Sequence, residues 1–274
     1  MTSKLLGLSL SGGGARGLAH IGVLKVLERE RIPVHVLSGA SMGGILALLY
    51  ASGLSAGELE EEALRMSSMR NLFGLIDIAP PRRGLVSGER VRKYFSKFID
   101  PSLTFADLRI PVAVSAVDLQ AAREISLAEG NLLDALMATS AFPGVFPAVP
   151  VQGRNLVDGG VLNNLPTHLL SELGANCSMA VDVSPNLEKD DPLRIPPELS
   201  IFPSFARELY HATQIMAAAL TRARLEAHQP DLLLNPPLAP DVGIFVSFTR
   251  AAEIMAAGEA AAEAALPDLH HLLG

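Results

Sequence analysis

A chain of 274 residues with 49% apolar composition and a mean hydropathy of +0.32 carries enough apolar side chain for a large core, which excludes global disorder. Its formal net charge of -7 argues against a nucleic-acid partner held through phosphates, and its one cysteine, Cys177, excludes an internal disulfide framework and any CxxC metal or redox motif. No apolar run reaches the ~18 residues of a membrane span, and the N-terminal stretch has too short an apolar core for a signal peptide, so a soluble, cytoplasmic protein is expected.

Leu5 to Leu10 reads as a buried strand that breaks into Ser11-Gly12-Gly13-Gly14-Ala15-Arg16-Gly17. Leu18, Ile21, Leu24 and Leu27 then follow helical spacing. Gly12, Gly14 and Gly17 fit the dinucleotide fingerprint G-x-G-x-x-G, but that reading needs an acidic residue at the end of the second strand. The second strand, Val34 to Ser38, ends with no Asp or Glu, and no Gly-Lys-Ser/Thr closes the loop as a phosphate-binding Walker sequence does. A third use needs no cofactor: the N–H groups of such a loop can form an oxyanion hole. Arg16 either shapes the loop or adds positive charge beside the anion.

The second strand runs into Gly39-Ala40-Ser41-Met42-Gly43, a G-x-S-x-G pentapeptide placed between an apolar run with β-branched residues and an apolar helical pattern. In a nucleophile elbow the serine occupies a sharp, strained turn, and small residues two places either side relieve the crowding. Gly39 and Gly43 meet that need. The two loops are expected side by side at the carboxyl ends of adjacent parallel strands, where open α/β sheets place their sites.

Ser55-Ala56-Gly57-Glu58 is a capping-box pattern opening an amphipathic helix. Residues 70–87 read as a long loop with two prolines and basic flanks. Both a lid or membrane-contact patch around Leu72 to Ile78 and an ordinary crossover packing Leu72, Phe73 and Ile76 on the core fit this stretch. Val91, Tyr94, Phe95 and Phe98 mark a further helix. Val112 to Val117 and Arg123 to Leu127 read as strands, Leu132 to Thr139 as a helix, and Ser140 to Pro147 as an extended apolar loop. Asp158 closes a strand before Gly159-Gly160, in a turn and not on a solvated helix face. A helix over 167–173, a strand over 180–183, a surface excursion over 184–200, a long helix over 205–228, a strand over 232–234 and an alanine-rich helix over 248–266 complete the pattern. No internal repeat is present.

A serine nucleophile needs a base. His20, His168, His211 and His228 fall in expected helices, His35 on a strand, and His270 and His271 in the tail, so none stands where a triad histidine should, with His168 the nearest exception. Asp158 has the better setting. A carboxylate is a weak base toward serine, so it needs direct contact, desolvation and strong oxyanion stabilisation.

Three motifs in this order, Gly12-Gly13-Gly14-Ala15-Arg16-Gly17, Gly39-Ala40-Ser41-Met42-Gly43 and Asp158-Gly159-Gly160, make the chain resemble the patatin-like phospholipases of the bacterial type related to the neuropathy target esterase catalytic domain. The Ser140 to Pro147 segment and Asn163, Asn164 and Pro166 also resemble the family, so the similarity spans at least residues 5–183. The resemblance implies one domain over 1–274, a three-layer α/β/α sandwich with a mostly parallel central sheet, Ser41 as nucleophile and Asp158 as base. It also implies a lipid or acyl-ester substrate with no metal or cofactor. A non-catalytic lipid-binding module and a nucleotide-binding oxidoreductase are the competing readings. Which lipid is cleaved and the oligomeric state are left open, and transient contact with a membrane surface is expected from the apolar patch.

Overall fold

The computed structural model describes residues 4–75, 77, 87–185, 204–245 and 247–274. β1 (Leu6–Leu10), β2 (Val36–Gly39), β3 (Val112–Asp118), β7 (Cys177–Val181) and β8 (Leu232–Leu234) form a parallel core in the order β3-β2-β1-β7-β8. β4 (Arg123–Leu127) and β6 (Arg154–Asp158) pair antiparallel with β3, and β5 (Val149–Val151) closes the edge antiparallel to β6. The central strands are buried throughout, as expected of a sheet covered on both faces.

The two faces differ in chemistry. Leu6, Leu8 and Leu10 of β1 point into the main core beside Ile21, Leu24 and Leu27 of α1 (Ala19–Arg29). Side chains alternate along a strand, so Gly7 and Ser9 face the other way. There the Ser38 hydroxyl meets the Ser9 hydroxyl at 2.9 Å and donates to the Pro166 carbonyl at 2.9 Å, while Leu170 of α7 (His168–Glu172) lies against Gly7. Helices α1, α2 (Ser41–Ala51), α6 (Leu132–Thr139) and α9 (Ala251–Leu273) cover the leucine face, and α7 covers the serine and glycine face. This is the expected three-layer sandwich.

Beyond α2 come α3 (Ala56–Met66), which opens with the capping box, α4 (Met69–Gly74) and α5 (Glu89–Phe95). The start of the expected loop is therefore helical. Ser68 accepts from the Asn71 N–H at 3.3 Å and so caps α4. Residues 76 and 78–86, and the side chain of Phe73, lie outside the described residues, as does 186–203 of the expected excursion. The α8 helix (Ser204–Ala227) matches its expected span, whereas α9 continues through Pro267 to Leu273. Proline removes one helical hydrogen bond, and Leu269, buried beyond it, anchors the last turns.

Helices α1 and α9 pack closely enough for glycine to be required. A Cβ on Gly258 would overlap the Ala19 carbonyl of α1. Gly258→Ala should therefore lower stability by about 1–3 kcal/mol, read as a reduced urea midpoint at unchanged slope; an unchanged midpoint would show that the helix pair yields freely.

Candidate active site

The glycine loop follows β1 and the elbow follows β2, and these strands pair in parallel register from Gly7 with Val36 to Leu10 with Gly39. Sequence pattern thus becomes proximity. Ser41 begins α2 with φ +51°, a left-handed conformation that costs a residue with a side chain about 1–3 kcal/mol. Its N–H donates to Thr139 Oγ1 at 3.1 Å, and the Thr139 hydroxyl donates to the Ser115 carbonyl at 2.7 Å. The Ala40 N–H donates to the Leu10 carbonyl at 3.2 Å. A Cβ on Gly43 would overlap that same carbonyl, so the helix reaches β1 only with glycine there.

Ser41 Oγ donates to Asp158 Oδ2 at 2.6 Å. Asp158 ends β6 and its other carboxylate oxygen accepts from the Gly160 N–H at 2.8 Å, while its own N–H donates to the Ala141 carbonyl at 3.0 Å. The side chain is buried, and burial pushes its pKa up to about 6, against the opposing pull of the hydrogen bonds from Ser41 and Gly160.

The expected loop residues divide by what their N–H groups already do. Gly12 donates to the Asn164 carbonyl at 3.0 Å, Ala15 to Ile244 at 2.9 Å and Arg16 to Gly13 at 3.1 Å. Among the described residues, the N–H groups of Gly13 and Gly14 make no such bond. Gly14 has φ +53°, and Gly12 packs so closely on Ser41 that an added Cβ would lie 2.9 Å from the serine Cβ. Of the two roles open to Arg16, the structure shows the shaping one. Its buried guanidinium donates to the carbonyls of Val183 at 2.6 Å and Val242 at 3.0 Å. Gly17 sits in the 3-10 turn Gly14–Leu18 against Met42. Asn164 adds a second tie, its side-chain amide donating to the Gly12 carbonyl at 3.1 Å.

None of the histidines hydrogen-bonds Ser41 among the described residues. His168 faces Glu124, 3.8 Å away, and Asn163. His35 Nδ1 accepts from the Leu6 N–H at 3.0 Å. His20 is buried at 2.8 Å from the Ser11 carbonyl, a contact that requires the proton on Nε2, and burial pushes its pKa down to about 4. It supports the glycine loop as a neutral ring.

Sequence reasoning missed Thr139 and the cavity beside the serine. That cavity, about 470 Å³, has an almost wholly apolar wall. Met42, Ile45 and Leu49 line it along successive turns of α2, Phe142 and Phe146 come from the loop after α6, and Leu72 and Leu75 from α4 and the residue after it. The apolar stretch near residue 72 therefore packs on a cavity wall. At 1.5 Å per residue, Leu49 lies about 12 Å along the helix from Ser41.

The raised pKa of Asp158 has a consequence for stability. The unfolded carboxyl ionises near 3.8 and the folded one near 6, so stability falls as pH rises between those values and the ionised form costs about 3 kcal/mol above them. Asp158→Asn should raise stability in urea at pH 7.5, with the gain shrinking as pH approaches 4. A variant less stable than the parent at pH 7.5 would contradict this account.

The family model for patatin-like phospholipase matches residues 8–171. The human patatin-like phospholipase domain-containing protein 6 is 32% identical over 195 residues, covering 69% of this chain and 14% of that protein. An uncharacterised NTE family protein of Mycobacterium tuberculosis is also 32% identical over 195 residues, covering 70% of this chain and 52% of that protein. The chain thus matches only part of these relatives' length. The crystal structure of VipD from Legionella pneumophila has the same fold, with a TM-score of 0.53 at 15% identity, covering 98% of this chain and 67% of that one. The motifs, the sheet that brings them together and these relatives agree, and the chain belongs to the patatin-like phospholipase family.

Proposed function

We propose that residues 1–274 form one lipid acyl hydrolase domain, with Ser41 as nucleophile and Asp158 as general base, cleaving the carboxylic esters of phospholipids, lysophospholipids or related acyl esters. The observation that carries this reading is the 2.6 Å Ser41 to Asp158 hydrogen bond at the wall of an apolar cavity. As Ser41 Oγ attacks the ester carbonyl, its proton passes to Asp158 Oδ2. The oxyanion takes hydrogen bonds from the Gly13 and Gly14 N–H groups, aided by the N-terminus of α2. Collapse expels the alcohol with the proton held by Asp158 and leaves an acyl-enzyme. Water then gives a proton to Asp158, attacks the acyl carbon and releases the fatty acid and the restored serine.

The names of the relatives, a phospholipase and an esterase family, support a lipid ester as substrate. So does the cavity, which suits an acyl chain better than a polar leaving group. Substrate would be collected by transient contact with a membrane surface from the cytoplasm. No helix among the described residues is long and apolar enough to cross a membrane.

Three outcomes are expected. A fluorophosphonate should label the protein at Ser41, with labelling lost in Ser41→Ala; a Ser41→Ala protein that keeps full p-nitrophenyl esterase activity would refute the nucleophile. Since the base must be ionised, kcat/KM should fall about tenfold per pH unit below pH 6 and level off above pH 7, while Asp158→Asn should lose activity to a degree similar to Ser41→Ala. For the cavity, each buried methylene contributes about 0.8 kcal/mol, so kcat/KM should climb with acyl length until the cavity is full. Leu49→Trp should cut activity on long-chain esters by about tenfold and spare short ones; equal loss at every length would separate the cavity from acyl recognition.

A further inference from the structure

Helix α8 is amphipathic the wrong way round. The side it turns toward the protein carries His211, Gln214, Thr221 and Arg224 beside Ala217, Ala218 and Leu225, all buried or half-buried. Arg224 lies 3.4 Å from Glu124, and the Thr167 hydroxyl donates to the His228 carbonyl at 2.8 Å just past the helix end. The outward side carries Leu209, Ala212, Met216, Ala219, Leu220 and Ala223, every one exposed, with Leu209 at 64% and Met216 at 61%. Five of them, Leu209, Ala212, Met216, Ala219 and Ala223, follow heptad spacing with Leu220 alongside, and none is charged.

We propose that this face is the contact between two copies of the chain, joined as an antiparallel α8 pair about a two-fold axis beside Gln214 and Ile215. The spacing of large and small residues is self-complementary about that axis. Leu209 of one copy falls opposite Ala219 of the other, and Met216 opposite Ala212, each pairing occurring twice, so the two most exposed large side chains each meet an alanine. Charge agrees with shape. Glu208 and Arg222, both exposed, flank the stripe on one edge two heptads apart, and about the same axis each Glu208 faces Arg222 of the second copy. In a parallel pair Met216 would face Met216, and the alanine layers would leave voids. The presence of both charge signs beside the stripe also fits a protein partner better than an anionic lipid surface, which selects a cationic flank. The arrangement is isologous, as a two-fold contact requires. A contact confined to one helix pair is smaller than a standard interface, so the dimer should dissociate in the micromolar range.

Sedimentation velocity of the full chain across the micromolar range should show a concentration-dependent dimer. Met216→Glu should raise the dissociation constant at least about tenfold while leaving esterase activity on a soluble ester unchanged. Glu208→Arg alone should weaken the dimer, and adding Arg222→Glu should restore it, a rescue that misfolding does not produce. A monomer at every concentration, or a dimer indifferent to both Met216→Glu and Glu208→Arg, would overturn the proposal. So would a monomer whose binding to phosphatidylglycerol vesicles is lost in Met216→Glu, which would assign the face to lipid.

Discussion

The site depends on one strained residue. A serine at φ +51° persists only where its surroundings hold it in place, and here three anchors outside the elbow do so, the Leu10 carbonyl of β1, Thr139 of α6 and the Ser115 carbonyl of β3. Gly43 lets α2 approach the Leu10 carbonyl, Ala40 bonds that carbonyl, and Thr139 takes the Ser41 N–H while its hydroxyl is fixed on β3. Each anchor belongs to a different strand or helix of the parallel core. The sheet register, the packing of α6 on α2 and the position of the serine are therefore one constraint.

Asp158 shows the same trade between stability and chemistry. Burial that raises its pKa to about 6 weakens the fold at neutral pH, yet it makes the carboxylate a stronger base while leaving it mostly ionised at pH 7. It still falls far short of a serine hydroxyl. In the proposed mechanism the deficit is met by the glycine loop, which explains the care with which that loop is held. Arg16 ties the loop to the Val183 and Val242 carbonyls, Asn164 and His20 hold its Gly12 and Ser11 carbonyls, and none takes the N–H groups of Gly13 and Gly14.

What was legible in the sequence was local. The strand, glycine loop and helix units, the elbow and the strand-end Asp158 each carry their signal within a few residues, and parallel pairing was enough to bring the first two together. β5 escaped because its hairpin turns on Gln152-Gly153, both at positive φ, where Asn or Asp gives the usual signal. α4 escaped because its cap, Ser68, precedes only six helical residues. Thr139 and the cavity were not legible at all. A threonine closing an apolar helix looks like any other, and the cavity wall is assembled from helices α1 to α6 and several connecting segments whose spacing no single segment encodes.

The inverted polarity of α8 follows from the inequality of the two sheet faces. Leucines fill the face beneath α1 and α2, so the helices there turn their apolar sides inward. The opposite face presents Gly7, Ser9, Ser38 and Ser115, and the Ser115 hydroxyl donates to Glu124 at 3.1 Å. A carboxylate at that depth, 14% exposed, is costly without partners. Asn163 at 2.9 Å and Arg224 at 3.4 Å supply them. A helix laid over this face satisfies those groups with the polar residues of its inner side, and Leu209, Met216 and Leu220 are then left facing outward. The exposed stripe is thus a consequence of polar groups placed on the second face of the sheet, and a stripe that cannot turn inward is removed from water only by a surface brought to it.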